Sequence, residues 1–391
     1  MDERTRAYLR GRFGDHYRRT TIDPPPSAEA REWGYMPFTD GGTRMVRHRT
    51  LLDIGRLEEF LARERPRHVY FSAGRYDDPG TRGMDAKGWR GSDVVFDLDA
   101  DHLPSVDPAE TSYADMLAAC KDALQRLLDF LDRDLGFEEC SVVFSGGRGY
   151  HVHVRDESIQ PLESEARREI VDYVRGIGLD PEAVIREEAV GGSVGRESPA
   201  QKQTLPTDGG WSRRAHEYLL EVVESLEAAT EDEAIERLQS YDGIGQTRAE
   251  AAYRAIEANG DAIRAGNVDV HPGFTMVAKH VISEALADRM APIDEPVTTD
   301  VNRLIRLPRS LHGGSGLEVV PLDRKEIAAF DPLVDAVPET FRGREITVEV
   351  SDETSIELDG DSFTLDPGVR SVPEPVGVSL MARGDAAKAP E

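Results

Sequence analysis

Residues 140–154 read Cys-Ser-Val-Val-Phe-Ser-Gly-Gly-Arg-Gly-Tyr-His-Val-His-Val, and this stretch decides the fold. Cys140–Ser145 and Gly149–Val154 are rich in β-branched and aromatic residues, which suit strands. The glycines of Gly146–Gly149 form the turn between them and let backbone N–H groups approach a ligand closely. Working outward, His68–Ser72 (HVYFS) and Asp93–Leu98 (DVVFDL) read as two further strands. Between them and residue 140, Met116, Leu117, Leu124, Leu127, Leu128 and Leu131 recur at helical spacing over Tyr113–Leu135. Strands and helices are thus mixed, and the expected class is α+β (mixed α/β), with a core over roughly 35–160.

The chain has 391 residues, enough for a sizeable core and more than one domain. We expect a catalytic core over 1–160, a helical insertion over 161–290 and a return to the core over 291–345. A hairpin (346–370) and a mobile, Pro/Gly/Ala-rich tail (371–391) follow. Leu51–Arg63 reads as one amphipathic segment. The insertion carries a polar glycine-rich loop, Gly191–Gly210, and the run DGIGQTR at Asp242–Arg248. That run is similar to a DNA-backbone-binding helix–hairpin–helix turn, but reads first as a plain glycine turn between helices.

The chain holds 74 acidic and 47 basic residues, a net charge of −27, and only six of the basic residues are lysine. The acids are dispersed, as on a solvated surface. With so few lysines, the pattern suits work in very high salt, where repulsion is screened within ~3 Å at 1 M. Such a balance disfavours nucleic acid as a general partner, so any nucleic-acid site has to be a local arginine cluster. Two cysteines exclude a disulfide framework and an all-cysteine cluster. No run approaches the ~18–20 apolar residues of a membrane span, and the charged N-terminus is no signal peptide. A cytoplasmic location without membrane contact is expected.

Three constellations carry chemistry. In Val94–Asp99 (VVFDLD) an apolar strand runs into Asp97 and Asp99, which at i, i+2 share one face. Paired carboxylates repel each other, and a hard Mg²⁺ or Mn²⁺ relieves that repulsion; the alternative is a pair of surface acids. The glycine turn offers Ser145 and the phosphate-clamping Arg148, with His151 and His153 on one strand face; the alternative for the histidines is packing or zinc binding. The third block, Ile293–Leu317, supplies Arg303, Arg306, Arg309, His312 and a third carboxylate, Asp294 or Asp300. The three arginines would share a face of a helix but not of a strand. Together these residues suit two-metal phosphoryl or nucleotidyl transfer.

In these three pieces, their order and their wide separation, the chain resembles the catalytic small subunit of the archaeal and eukaryotic type DNA primase, in its halophilic archaeal branch. The resemblance spans residue 1 to about 345. It implies a primase catalytic core with an RRM-like sheet, interrupted by a variable helical subdomain. It also implies template-directed synthesis of short primers on single-stranded DNA from nucleoside triphosphates, with a large primase subunit as partner. Carried over by position, Asp97, Asp99 and Asp294 hold two Mg²⁺ or Mn²⁺ ions. Asp294 is preferred to Asp300 because the family spaces this acid from the Ser-Leu-His histidine as Asp294 is spaced from His312; Asp300 then orients arginines. Ser145, Arg148 and His151 grip the triphosphate, with Arg306 and His312 completing the pocket. Many relatives carry lysine where Gly314 stands here, which shifts weight to Arg306 and Arg309. Relatives also carry a zinc site between the first two motifs. Here that interval offers only His102, Cys120 and Cys140, so no zinc is expected. The alternatives are a repair-type primase-polymerase acting alone, a non-catalytic nucleic-acid-binding scaffold and, poorly matched to the Arg/His block, a metal-dependent phosphohydrolase.

Overall fold

The computed structural model describes residues 1–39, 44–137, 139–190 and 200–390. Part of the expected Gly191–Gly210 loop, 191–199, lies outside them. The chain forms two compact units. The first comprises 1–124, 137–171 and 292–391, and the second 125–136 and 172–291.

Antiparallel sheets dominate the first unit. One contains β1 (Arg31–Met36), β2 (Val46–Arg49), β3 (His68–Tyr76) and β4 (Trp89–Ser92). The other contains β5 (Val94–Asp99), β6 (Cys140–Phe144) and β7 (Gly149–Val154). β8 (Arg186–Val190) and β9 (Ala200–Thr204) pair in the second unit. The returning chain then adds β10 (Leu304–Arg306) beside β3 and β11 (Val320–Leu322) beside β6. β10 brings Arg306 opposite Tyr70, a pairing that links residues more than half the chain apart. β5, β6 and β7 form as their composition predicts, in the order β11-β6-β7-β5.

A buried ionic knot fastens the two sheets. Arg31 of β1, 1% exposed, donates both Nη2 hydrogens to Asp93 (3.0 and 2.9 Å) and Nη1 to the carbonyls of Ser72 and Ala73. Arg155 joins Asp93 at 3.2 Å, and Arg167 donates to the carbonyls of Ser92 and Asp93. A charge pair this deep persists because nearly every donor and acceptor is satisfied.

The second unit is mainly helical. Gly210–Ala228, Glu231–Gln239, Gln246–Arg264 and Pro272–Asp288 pack around Leu219, Val223, Ile256, Phe274 and Val281, all buried. The DGIGQTR run supplies the turn between the second and third of these, with Gly243 at φ +72°, and its Gln246–Arg248 open the third helix. The boundary falls later than 161, because the helix Ser164–Arg175 begins in the first unit and ends in the second. The Leu51–Arg63 segment is split into helices Leu51–Ile54 and Leu57–Glu64 by Gly55, at φ +76°.

The C-terminal expectations need correction. Glu345–Val350 (β12) does not pair with the strand that follows. Thr354–Leu358 (β13) and Asp361–Leu365 (β14) form their own hairpin. β12 lies between Gly368–Pro373 (β15) and Ala386–Lys388 (β16). The supposed mobile tail over 371–391 is therefore ordered through residue 390, with helix Glu374–Arg383 buried over Glu374–Ala382. Its small, Pro/Gly/Ala-rich residues allow close packing: a Cβ on Gly377 would meet Ile346 Cδ1 at 2.4 Å. Glu374, 1% exposed, anchors the segment to the N-terminal helix Glu3–Arg19 through Arg12 (Nε–Oε1 2.7 Å) and the Tyr8 hydroxyl. Glu374→Ala leaves Arg12 half-paired and should cost about 3 kcal/mol, read by denaturant unfolding in molar KCl. Unchanged stability would show that this anchor contributes nothing.

Candidate active site

Asp97 and Asp99 sit on β5 with their side chains on its partly exposed face, while Phe96 and Leu98 point into the core. β7 pairs with β5 so that Asp97 lies opposite His151 and Asp99 opposite Gly149. That register demands a glycine: a Cβ at position 149 would stand 1.7 Å from the Leu98 carbonyl oxygen. Asp294 occupies the N-cap position of the short helix Glu295–Thr299 without a side-chain capping bond, and its N–H donates to the Asp97 carbonyl oxygen at 2.8 Å. Residues nearly two hundred positions apart thus join one acidic centre.

That centre is electrostatically loaded. Burial, then the charges of Asp99 and Asp294, push Asp97 up to about 7, against the pull of Arg306 and Arg303. His151 Nε2 lies 3.4 Å from Asp97 Oδ1. Burial and the two arginines hold His151 down to about 3, so it is a neutral imidazole and the contact is not an ion pair. His153 is buried beside Phe71, ring centroids 6.1 Å apart, and is held neutral by burial; it is a packing residue.

A cavity of about 340 Å³ opens here, lined by Asp97, His151 and Arg306 together with Arg303, Asp300 and Asn302. Arg47, Tyr70 and four apolar side chains complete its wall. Arg306 lies 5.8 Å from the Tyr70 ring centroid. Arg47, Tyr70 and Asn302 were not among the expected site residues, and the cavity has Arg303 where Arg309 was expected to carry weight. Arg309, at φ +67°, turns outward and pairs with Glu318 at 2.9 Å. The three arginines share no helical face, because Leu304–Arg306 is a strand. Asp300 Oδ1 accepts from the Asn302 N–H, and its carbonyl accepts the Arg303 N–H at 3.2 Å.

The polar groups of the glycine turn are bonded both within it and to neighbouring segments, and the Gly147 carbonyl accepts the Tyr113 hydroxyl at 2.6 Å. Ser145 Oγ accepts from the Gly147 N–H at 3.3 Å, and its own N–H donates to the Gly149 carbonyl. Ser145 therefore holds the turn. Arg148, half-exposed, pairs with Asp101 at 2.8 Å. His312 packs on this turn, where Gly146 adopts φ +73° and a Cβ would meet His312 Cβ at 2.8 Å. Ser315 gives its hydroxyl to the Gly146 carbonyl and accepts from His312 Nδ1 (3.0 Å), which leaves Nε2 with its lone pair. Burial and the nearby cations keep His312 neutral. Cys120 is buried with its thiol toward the Leu98 carbonyl, and Cys140 begins β6.

Among the described residues no three acidic, imidazole or thiol side chains already converge as a ready coordination site. Asp99 gives an oxygen to the Asp101 N–H, and Asp97 faces His151. The donor set still suits a hard divalent cation. It consists of carboxylates alone, and burial followed by repulsion from Asp99 and Asp294 raises Asp97.

Residues 96–324 match the family model of the DNA primase small subunit. The whole chain is 64% identical, over 392 residues and 100% of both proteins, to the DNA primase small subunit PriS of Haloarcula marismortui. Identity is 60% to that of Halobacterium salinarum, again with full coverage. It is 41% over 396 residues, 99% of each chain, to that of Methanothrix thermoacetophila.

Asp97 binds its proton more tightly folded than unfolded, where its value is near 4. In metal-free protein its ionisation therefore costs stability progressively as pH rises from about 4 to about 7. Asp97→Asn should be more stable than the parent at pH 8 by roughly 1–3 kcal/mol, with the gap closing toward pH 4. Denaturant unfolding in chelator at both pH values checks this; a gap independent of pH would contradict it.

Proposed function

This chain belongs to the DNA primase small subunit family, and from that premise we propose that it is the catalytic subunit, a nucleotidyltransferase that makes short primers on single-stranded DNA. The observation that supports this most is the loaded carboxylate at Asp97, flanked by Asp99 and Asp294 and faced by Arg303 and Arg306 across one cavity. A scaffold gains nothing from holding a carboxylate near pH 7, whereas a polymerising site needs opposed negative and positive walls. Relatives from halophilic archaea and the lysine-poor, acidic composition favour work in high salt.

Asp97, Asp99 and Asp294 would hold Mg²⁺ or Mn²⁺. Bound there, a pair of such ions supplies Lewis-acid activation of the primer 3′-hydroxyl and neutralises the leaving pyrophosphate. The chain's own residues do the rest. Arg303 and Arg306 attract the triphosphate and offset charge that grows as the bond forms. His151 fixes the rotamer of Asp97 from the neighbouring strand. His312 presents Nε2 and becomes a donor by taking a proton as the triphosphate arrives. A large primase subunit is the proposed partner, and no helix of the described residues is long and apolar enough to cross a membrane.

Primer synthesis on single-stranded DNA in molar KCl, with Mg²⁺ or Mn²⁺ and with or without the large subunit, tests the reading. Asp97→Ala/Asp99→Ala should lose on the order of 10³-fold or more in rate. Undiminished product from that variant would contradict the assignment. Arg303→Ala should raise the nucleotide KM roughly tenfold, and Arg309→Ala should change it less than about twofold. The reverse order would show that the cavity cations are misassigned.

A further inference from the structure

One wall of the cavity has no part in the phosphate chemistry. Asn302 lines it and is held at two points. Its N–H donates to Asp300 Oδ1 at 2.8 Å, and its side-chain Oδ1 accepts the Tyr76 hydroxyl at 2.9 Å. Tyr76 is 1% exposed and cannot swing away. Lys87 Nζ lies 4.4 Å from its ring centroid, and Lys87 is itself ion-paired with buried Glu32. Burial and the carboxylates of Glu32 and Asp300 push the phenol up, so it stays protonated and keeps donating. In this arrangement the amide turns its oxygen to Tyr76. Its acceptor is spent on Tyr76, and its Nδ2 hydrogens, which no described residue accepts, remain available to the cavity.

The position of this donor matters as much as its chemistry. The Tyr76 hydroxyl lies beside Gly74, where a Cβ would approach it to 2.4 Å, whereas Arg306 stands opposite Tyr70. Four residues of strand separate those points, roughly 13 Å. Asn302 thus adds an uncharged donor to a wall that also carries Arg303 and Asp300, while Arg306 lies toward the other end of the strand. A phosphate would seek the cations. A neutral amide suits an uncharged acceptor.

We infer that Asn302 is a nucleoside-contacting residue, donating from Nδ2 to an acceptor that all four nucleotides share, on the sugar or on the minor-groove edge of the base. The inference rests on the nucleotide-polymerising reading above. A template-directed enzyme must accept every base, so a fixed donor can address only a group common to all. The sugar hydroxyls meet that condition, as do pyrimidine O2 and purine N3, which occupy equivalent places in the minor groove. Tyr76 is then a positioning residue that sets which end of the amide faces the substrate.

Steady-state primer extension in molar KCl tests this, with each ribo- and deoxynucleotide supplied separately to the parent and to Asn302→Ala, Asn302→Asp and Tyr76→Phe. Asn302→Ala should raise KM about three- to thirty-fold for all four bases, with kcat changed less than about twofold. Asn302→Asp keeps an acceptor for Tyr76 but loses both donors and adds a charge beside Asp300, and should do at least as badly. Tyr76→Phe should raise KM by a smaller factor. A rise confined to ribonucleotides upholds the inference and identifies the 2′-hydroxyl; an equal rise for both sugars upholds it and identifies an acceptor common to both. If Asn302→Asp matches the parent, the amide serves only to hold Tyr76 and the inference falls. A rise for one base alone also overturns it. A parent inactive with every nucleotide would instead sink the polymerising reading on which the inference stands.

Discussion

The candidate active site depends on one close approach, that of β7 to β5 at Gly149. There a Cβ would lie 1.7 Å from the Leu98 carbonyl, so only glycine allows the two strands to pair to their ends. The register that follows puts His151 beside Asp97 and ends β5 where Asp99 can still face the same side. The Asp97 carbonyl then receives the Asp294 N–H, which docks the returning chain. A slip of one residue would send both carboxylates into the core. The Arg31–Asp93–Arg155 knot at the entry to β5 guards against that slip, because Asp93 cannot leave its three-way contact without stranding buried charge.

The same register stores electrostatic cost. Burial, with the charges of Asp99 and Asp294 nearby, makes Asp97 costly to ionise and pushes it up to about 7. Arg303 and Arg306 relieve part of the cost across the cavity without pairing directly with Asp97, so cationic and anionic surfaces stay open to a ligand carrying both charges. A metal-bound triphosphate is such a ligand. The neutral state of His151 and His312 belongs to the same economy, since two more buried cations would quench the acidic wall.

Much of this was legible in the sequence, for reasons tied to particular residues. The i, i+2 spacing of Asp97 and Asp99 behind an apolar run specifies a strand and a shared face, and the strand–turn–strand of 140–154 formed as read. What sequence could not show was pairing across long separations. Tyr70 and Arg47 enter the site only because β10 docks on β3 and β1 carries β2 beside it. Arg303 replaced Arg309 because a left-handed backbone at Arg309 turns that side chain outward. Sequence likewise does not show that Ser145 Oγ accepts from the turn and that Arg148 pairs with Asp101. The C-terminal segment was misread because small residues look like a mobile tail until they are seen packed beneath β12.

The central claim is that this register gathers Asp97, Asp99 and Asp294 into a site for a divalent cation. Direct titration of Mn²⁺ into metal-free protein, followed by electron paramagnetic resonance in molar KCl, tests it without any catalytic step. The salt suppresses diffuse binding to a surface of net charge −27. The account predicts saturable binding at pH 7.5 that releases protons as Asp97 gives up its partial protonation, and that is lost in Asp97→Asn. Equally tight binding by Asp97→Asn, or no saturable binding by the parent, would contradict it.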